Sequence, residues 1–234
     1  MEKITKLSII IPVFNERATI LKLLAKVEAA DLGVAKEIII VDDFSADGTR
    51  EILKKYEQQY KILYHEKNYG KGRALRTGFA VATGDVVVVQ DADLEYDPND
   101  FRAMLKLMEE TGSPVVYGSR RLQHRYLKSH HSGHLYALGG IFITWLTNLL
   151  YGTKITDEPT CYKMFKQDFL KSINLECERF EFCSEITAKI AKRGIKIIEV
   201  PINYYPRHKN EGKKISWKDG IETIWILLKY RFKK

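Results

Sequence analysis

Asp91, Asp93 and Glu95 stand at alternate positions directly after four consecutive valines, Val86 to Val89. A β-branched run of that length reads as a strand buried on both faces. Side chains alternate along an extended chain, so the three acids would leave the strand's end pointing the same way. Such a cluster suits a hard divalent cation. Mg²⁺ or Mn²⁺ takes carboxylate oxygen and keeps positions for substrate phosphates, so the expected ligand is a diphosphate bridged to the protein by metal. An Asp-x-Asp triplet arises readily by chance, and its place in the chain is what gives it weight. It ends a buried strand just ahead of a helix start at Asp97-Pro98, and open α/β sheets bind ligands at the carboxyl ends of their strands.

The elements needed to position these acids are legible on either side of them. Strand-like runs occur at Leu7–Val13, Glu37–Asp42, Lys61–Tyr64, Asp85–Gln90 and Pro114–Gly118, separated by helix-period segments at Ala18–Ala30, Thr49–Tyr60, Gly72–Ala82 and Pro98–Glu110. Alternation of this kind predicts an α/β fold, a mostly parallel central sheet with helices on both faces. After residue 120 the pattern loosens into a Gly/His-rich stretch, an apolar helix at Leu135–Tyr151, a helix near Glu181–Arg193, a strand Lys196–Ile202 and a final helix from about Ser216. We read the 234 residues as a single domain, with a ligand-binding part at 1–120, an acceptor-side part at 121–215 and a terminal helix at 216–234.

Other functions fit the residues poorly. The turn after the first strand is Pro12-Val13-Phe14-Asn15-Glu16, not the Gly-x-Gly-x-x-Gly of a dinucleotide site, and Gly70-Lys71-Gly72 lacks the rest of a P-loop and reads as a turn before a helix. Cys161, Cys177 and Cys183 form neither an even set nor a Cys-x-x-Cys pair, which suits reduced thiols in the cytoplasm. The amino-terminal apolar run breaks at Pro12 and reads as a strand, not a signal peptide. His130, His131 and His134 lack the spacing of a metal site with a carboxylate partner, and a mobile loop is the expectation for them. Of the net charge of +8, residues 111–156 carry +5 with no acid and residues 201–234 carry +6, which implies an anionic partner. Nucleic acid is disfavoured, because no recognition motif is present and the acidic centre would repel phosphate without metal.

Taken together, Ile9 to Glu16, Val41-Asp42-Asp43-Phe44-Ser45-Ala46-Asp47-Gly48-Thr49, Gly70 to Leu75, Thr83-Gly84-Asp85 and Gln90-Asp91-Ala92-Asp93 resemble family 2 glycosyltransferases of the GT-A, nucleotide-diphospho-sugar transferase, fold. Tyr117-Gly118-Ser119-Arg120, Thr156 to Lys163 and Tyr205 to Ile215 resemble the branch with dolichyl-phosphate mannosyltransferases and bacterial polyprenyl-phosphate glycosyltransferases. The likeness runs from about Leu7 to Phe232 with the motifs in order. It implies that Pro12, Phe14, Asn15, Glu16, Asp42 and Lys71 serve the nucleotide-sugar, and that Asp91, Ala92 and Asp93 lie at the diphosphate. The implied metal ligands are Asp91, Asp93 and Glu95, with Mg²⁺ or Mn²⁺ as cofactor. Many mannosyltransferases of this branch carry Gln where this chain has Glu95, an equally good cation ligand.

Expelling a nucleoside diphosphate needs positive charge, which Arg207 and Lys213 or Lys214 would supply by closing over it; the alternative is a solvated basic loop. A phosphate acceptor, with a second pKa of about 6, is already a nucleophile at neutral pH, whereas a hydroxyl needs a base. Arg120 and Arg125 suit such a phosphate, or else lie on the surface. Asp157 either orients hydroxyls, acts as the base for an alcohol, or bonds to its own turn; Asp47 either meets ligand or caps the following helix. The sequence-based reading is an inverting, metal-dependent transferase with Asp93, Asp157 and Arg207 at its centre. It moves mannose or glucose from a GDP- or UDP-sugar to a polyprenyl or dolichyl phosphate at the cytosolic membrane face. Transfer to a glycan hydroxyl is the rival. The final helix places Trp217, Ile221, Ile224, Trp225 and Leu228 on one stripe beside Lys218, Lys229, Arg231, Lys233 and Lys234, facing either a membrane surface or the core, and Leu135–Tyr151 with Trp145 offers a second contact. A membrane partner protein is the other route to the membrane.

Overall fold

The computed structural model describes residues 3–123, 134–207 and 217–233. Seven strands form one sheet: β1 (Lys6–Val13), β2 (Ala35–Asp42), β3 (Lys61–Tyr64), β4 (Val86–Val89), β5 (Val115–Ser119), β6 (Lys163–Lys166) and β7 (Ile198–Pro201). Their spatial order is β3-β2-β1-β4-β6-β5-β7. All neighbours run parallel except β6, which pairs antiparallel with both β4 and β5. From β1 the chain adds β2 and β3 on one side and then returns to place β4 on the other. That reversal of direction opens a crevice between the ends of β1 and β4.

The helices are α1 (Ile20–Ala29), α2 (Thr49–Lys54), α3 (Lys71–Val81), α4 (Phe101–Thr111), α5 (His134–Tyr151), α6 (Gln167–Lys171), α7 (Phe182–Lys192) and α8 (Trp217–Phe232). Strand alternation divides the core in two. Ile9, Ile11, Val86 and Val88 face the side packed by α1 and α4, and Ile10, Val87 and Val89 face the side packed by α3 and α7. α4 shows how local chemistry sets an element's limits. Asp97 accepts from the Asn99 amide, Pro98 opens a 3₁₀ turn into the helix, Phe101, Met104, Leu105 and Met108 face the core, and Gly112 stops it in a left-handed conformation. Against the sequence-based reading, α2 is one turn and a half instead of three. β6 lies where the sequence pattern predicts no strand.

Candidate active site

Among the described residues, three other than glycine adopt left-handed backbone: Asn15 after β1, Phe44 after β2 and Leu94 after β4. Such backbone is costly for a residue with a Cβ and collects where a site imposes shape. All three lie in loops at the carboxyl ends of β1, β2 and β4, the edge of the sheet the sequence pattern indicated.

The β1 loop is held open by bonds to the β2 loop. Asn15 N donates to Ser45 Oγ (2.8 Å), Ala46 N donates to Asn15 Oδ1 (2.8 Å), and Glu16 N donates to Thr49 Oγ1 (2.9 Å). Pro12 and Phe14 are half-buried beside it. Asp42 is fully enclosed at the end of β2, its carboxylate taken by Arg50 Nε at 2.6 Å. Asp47 accepts from the amide and hydroxyl of Thr49, the first residue of α2, with Gly48 at the cap position. Asp43 carries a role the sequence did not reveal: it accepts from the Tyr69 and Gly70 amides (2.9 and 2.7 Å) and from His65 Nδ1 (2.7 Å), fixing the turn that delivers Lys71.

Lys71 opens α3 and reaches across to β4. Its ammonium is 2.5 Å from Asp91 Oδ1 and 3.0 Å from Cys161 Sγ. Burial opposes the Lys71 charge, but the Asp91 carboxylate outweighs it and holds its pKa well above the usual lysine range. Ala92 is buried, and Asp93 Oδ1 accepts from the Glu95 amide at 3.1 Å. The Asp93 carboxyl is pushed up to about 7, first by burial and then by the charges of Asp91 and Glu95.

Glu95 bonds elsewhere. Its two oxygens accept from Tyr204 Oη (2.8 Å) and Arg207 N (2.9 Å), and its carbonyl accepts from Tyr205 N (2.8 Å). It thereby anchors the segment after β7. Arg207 extends back over the crevice, donating from Nε to the Asp93 carbonyl (2.7 Å) and from Nη2 to Glu16 Oε2 (2.8 Å).

On the β5 side, Arg120 and Asp157 form a forked pair at 2.7 and 2.8 Å, with Arg120 N adding a third bond to the same carboxylate. Asp157 is wholly buried, and Glu199 accepts the Thr156 and Asp157 amides. Burial alone would raise Asp157; the Arg120 guanidinium instead holds its carboxyl below the ordinary range. Lys213, Lys214, Arg125, His130 and His131 lie outside the described residues.

The acids at the end of β4 fit a divalent cation. Among the described residues no three acidic, histidine or cysteine groups converge into a closed cage. Two carboxylates, Asp91 and Asp93, instead share a crowded negative site that raises one of them, the donor set Mg²⁺ or Mn²⁺ uses when substrate oxygens complete its shell.

The profile for glycosyl transferase family 2 matches residues 8–173, spanning β1 through α6. The chain belongs to glycosyl transferase family 2. Among its relatives, the dolichol-phosphate mannosyltransferase of Pyrococcus furiosus is 28% identical over 89% of this chain. The low-salt glycan biosynthesis hexosyltransferase Agl6 of Haloferax volcanii is 26% identical over 95% of it. The chain spans 59% and 53% of the lengths of those two proteins. In fold it resembles glucosyl-3-phosphoglycerate synthase from Mycobacterium tuberculosis, crystallised with Mn²⁺, UDP and phosphoglyceric acid. The TM-score is 0.72 at 18% identity, over 99% of this chain and 80% of the other. It is therefore a glycosyltransferase with the GT-A-like architecture expected from its motifs.

Proposed function

We propose that this family 2 enzyme transfers a hexose, mannose or glucose, with inversion from a GDP- or UDP-sugar to a polyprenyl or dolichyl phosphate, at the cytosolic face of a membrane to which it binds peripherally. The nucleotide would lie in the crevice between the β1 loop and β4, along Pro12, Phe14, Asn15 and Glu16. The diphosphate would meet Lys71, Asp91, Asp93 and Arg207. Asp91 and Asp93 would hold Mg²⁺ or Mn²⁺, which when bound neutralises charge on the leaving diphosphate. Arg207 lies over the Asp93 carbonyl, where its guanidinium stabilises the same developing charge, and Glu16 fixes its direction. Lys71 balances Asp91 and leaves the site less negative toward an anionic donor.

The observation that carries the phosphate acceptor is the burial of Asp157 in the Arg120 fork. A general base must be reachable and must have proton affinity near neutral pH; Asp157 is enclosed, and its lowered pKa makes it a poor proton acceptor. A phosphate monoester needs no base, which favours it over a hydroxyl. The name of the Pyrococcus furiosus relative supports the same acceptor, and the metal and UDP bound by the mycobacterial synthase support the donor class. The test is incubation with a panel of UDP- and GDP-sugars, Mg²⁺ or Mn²⁺ and a short polyprenyl phosphate, with mass spectrometry of the product. A glycosyl phosphate lipid is expected; transfer to a glycan hydroxyl and not to the lipid would overturn the acceptor.

A further inference from the structure

α5 exposes an apolar stripe. A surface helix ordinarily buries its apolar stripe and shows polar groups to water. Here Leu138, Ile141, Phe142, Trp145 and Leu149, at spacings of three and four, are all exposed, Trp145 by 56% and Leu149 by 64%. The inward face buries Ile143 with Thr144 and Thr147, and its polar side chains are bonded. Thr144 Oγ1 accepts from Arg121 Nη1 (3.0 Å) and the Glu158 amide (3.1 Å), and Asn148 exchanges bonds with both backbone groups of Ile155 (2.8 and 3.1 Å). Arg121 Nη1 also donates to the Thr156 carbonyl at 2.8 Å. The inner face therefore clamps residues 155–158, which carry Asp157 and through it Arg120.

The surroundings of the outer face indicate what it meets. α5 contains no Asp, Glu, Lys or Arg. Exposed Lys154 follows its end, and α8, tied to it by Tyr151 Oη on the Leu227 carbonyl (2.6 Å), adds exposed Ile221, Trp225, Lys229 and Arg231. Apolar side chains including two tryptophans, bordered by cations, match an anionic bilayer's headgroup and acyl boundary. A second copy of a chain with net charge +8 would bring like charges together. No helix among the described residues is long and apolar enough to cross a membrane, so the contact is with its surface.

We propose that the outer face of α5, extended by Ile221 and Trp225 of α8, docks this protein on an anionic lipid surface, and that the inner face of α5 couples docking to the Arg120–Asp157 side of the crevice. The proposal deepens the lipid-phosphate reading and rests on it for its purpose, but docking is measured without donor or acceptor. The experiment is co-sedimentation of the full chain with phosphatidylcholine vesicles containing or lacking phosphatidylglycerol, alongside light scattering in buffer. Wild type is expected to bind the anionic vesicles, with a blue shift in tryptophan emission. The doubly substituted Phe142→Glu, Trp145→Glu protein should bind at least about tenfold more weakly. Leu149→Glu should weaken binding in the same direction should the double variant fold poorly. Leu21→Glu, an exposed apolar position on α1, should bind as wild type.

Wild-type binding by the α5 variants, or a dimer in buffer that they dissociate, would overturn docking on lipid. Vesicle binding without sugar transfer to polyprenyl phosphate supports the surface while removing the acceptor reading. Transfer to a short polyprenyl phosphate by a chain that ignores anionic vesicles does the reverse.

Discussion

At the scale of single residues, the two acidic centres of the crevice call for opposite outcomes. Asp93 sits where its charge is disfavoured by burial and by Asp91 and Glu95, which is the environment of a cation ligand and not of a structural ion pair. Asp93→Ala should therefore melt no lower than wild type in chelator and remove metal-dependent transfer, a loss of several kcal/mol in transition-state stabilisation. Full activity of that variant in chelator would dismiss the metal assignment. Asp157 is the reverse, a buried carboxylate whose partner is another side chain. Asp157→Asn leaves the enclosed Arg120 guanidinium without its countercharge and should cost roughly 2–4 kcal/mol in denaturant titrations. Residual transfer should keep a low-pH limb set by the acceptor phosphate near about pH 6. A limb that disappears with the Asn substitution would make Asp157 the base and restore the hydroxyl acceptor.

At the scale of elements, the turn into α3 shows how a site is held from behind. Gly70 has φ of +99°, and a Cβ there would stand 2.5 Å from the Glu178 carbonyl oxygen. Its amide is bonded to Asp43, and the next residue is Lys71. Gly70→Ala should cost about 2–3 kcal/mol of stability and raise the donor KM more than it lowers kcat, because it shifts Lys71 away from Asp91. An unchanged melt and an unchanged KM would show that the turn relaxes freely. The same region marks what was legible in sequence. The parallel strands were readable because their apolar runs end in turn residues, and the Asp91–Asp93 acids because they follow such a run. β6 was not, because Lys163-Met164-Phe165-Lys166 begins and ends in lysine. Lys163 is nonetheless fully buried, its ammonium on the Glu158 carbonyl (2.7 Å) and 3.8 Å from the centre of the Tyr117 ring, a tertiary arrangement no local pattern encodes. Glu95 presents the same difficulty within the site. Alternation placed it with the metal ligands, yet the left-handed Leu94 breaks the alternation and turns Glu95 to Tyr204 and Arg207. The pairing of Arg120 with Asp157 spans 37 positions and is likewise invisible locally.

At the scale of the whole molecule, the sheet carries different electrostatics at its two ends, and this sets how stability should follow pH. At the carboxyl end, Asp93 is pushed up to about 7 and Asp100 to about 6, chiefly by burial, from an ordinary 3.8. Groups raised on folding favour the native state when protonated, so their contribution is present at low pH and is lost as pH rises through 6 and 7. At the amino end, Glu37 bridges β2 to Ser8 of β1 and to Thr83. Burial raises its pKa, but hydrogen bonds from Ser8 and Thr83 and the Lys6 charge outweigh it and take the carboxyl from 4.5 to about 2. Asp85, lowered by Thr5 through its hydroxyl and amide, acts in the same sense. Groups lowered on folding contribute above their ordinary pKa, and that stability is lost as pH falls from 4.5 toward 2. For partly exposed Glu37 the loss is about 1–2 kcal/mol after allowance for solvent screening. The metal-free protein should therefore be most stable near about pH 4, where the two opposing slopes cancel, and not at neutral pH. Denaturant titrations in chelator from pH 3 to 8 would show it. Glu37→Gln should flatten the acid limb and Asp93→Asn the falling limb between about pH 4 and 7, each leaving the other intact. A single maximum at or above pH 7, unmoved by Asp93→Asn, would mean that the carboxyl end does not concentrate unbalanced negative charge, and the case for a cation between Asp91 and Asp93 would fall with it.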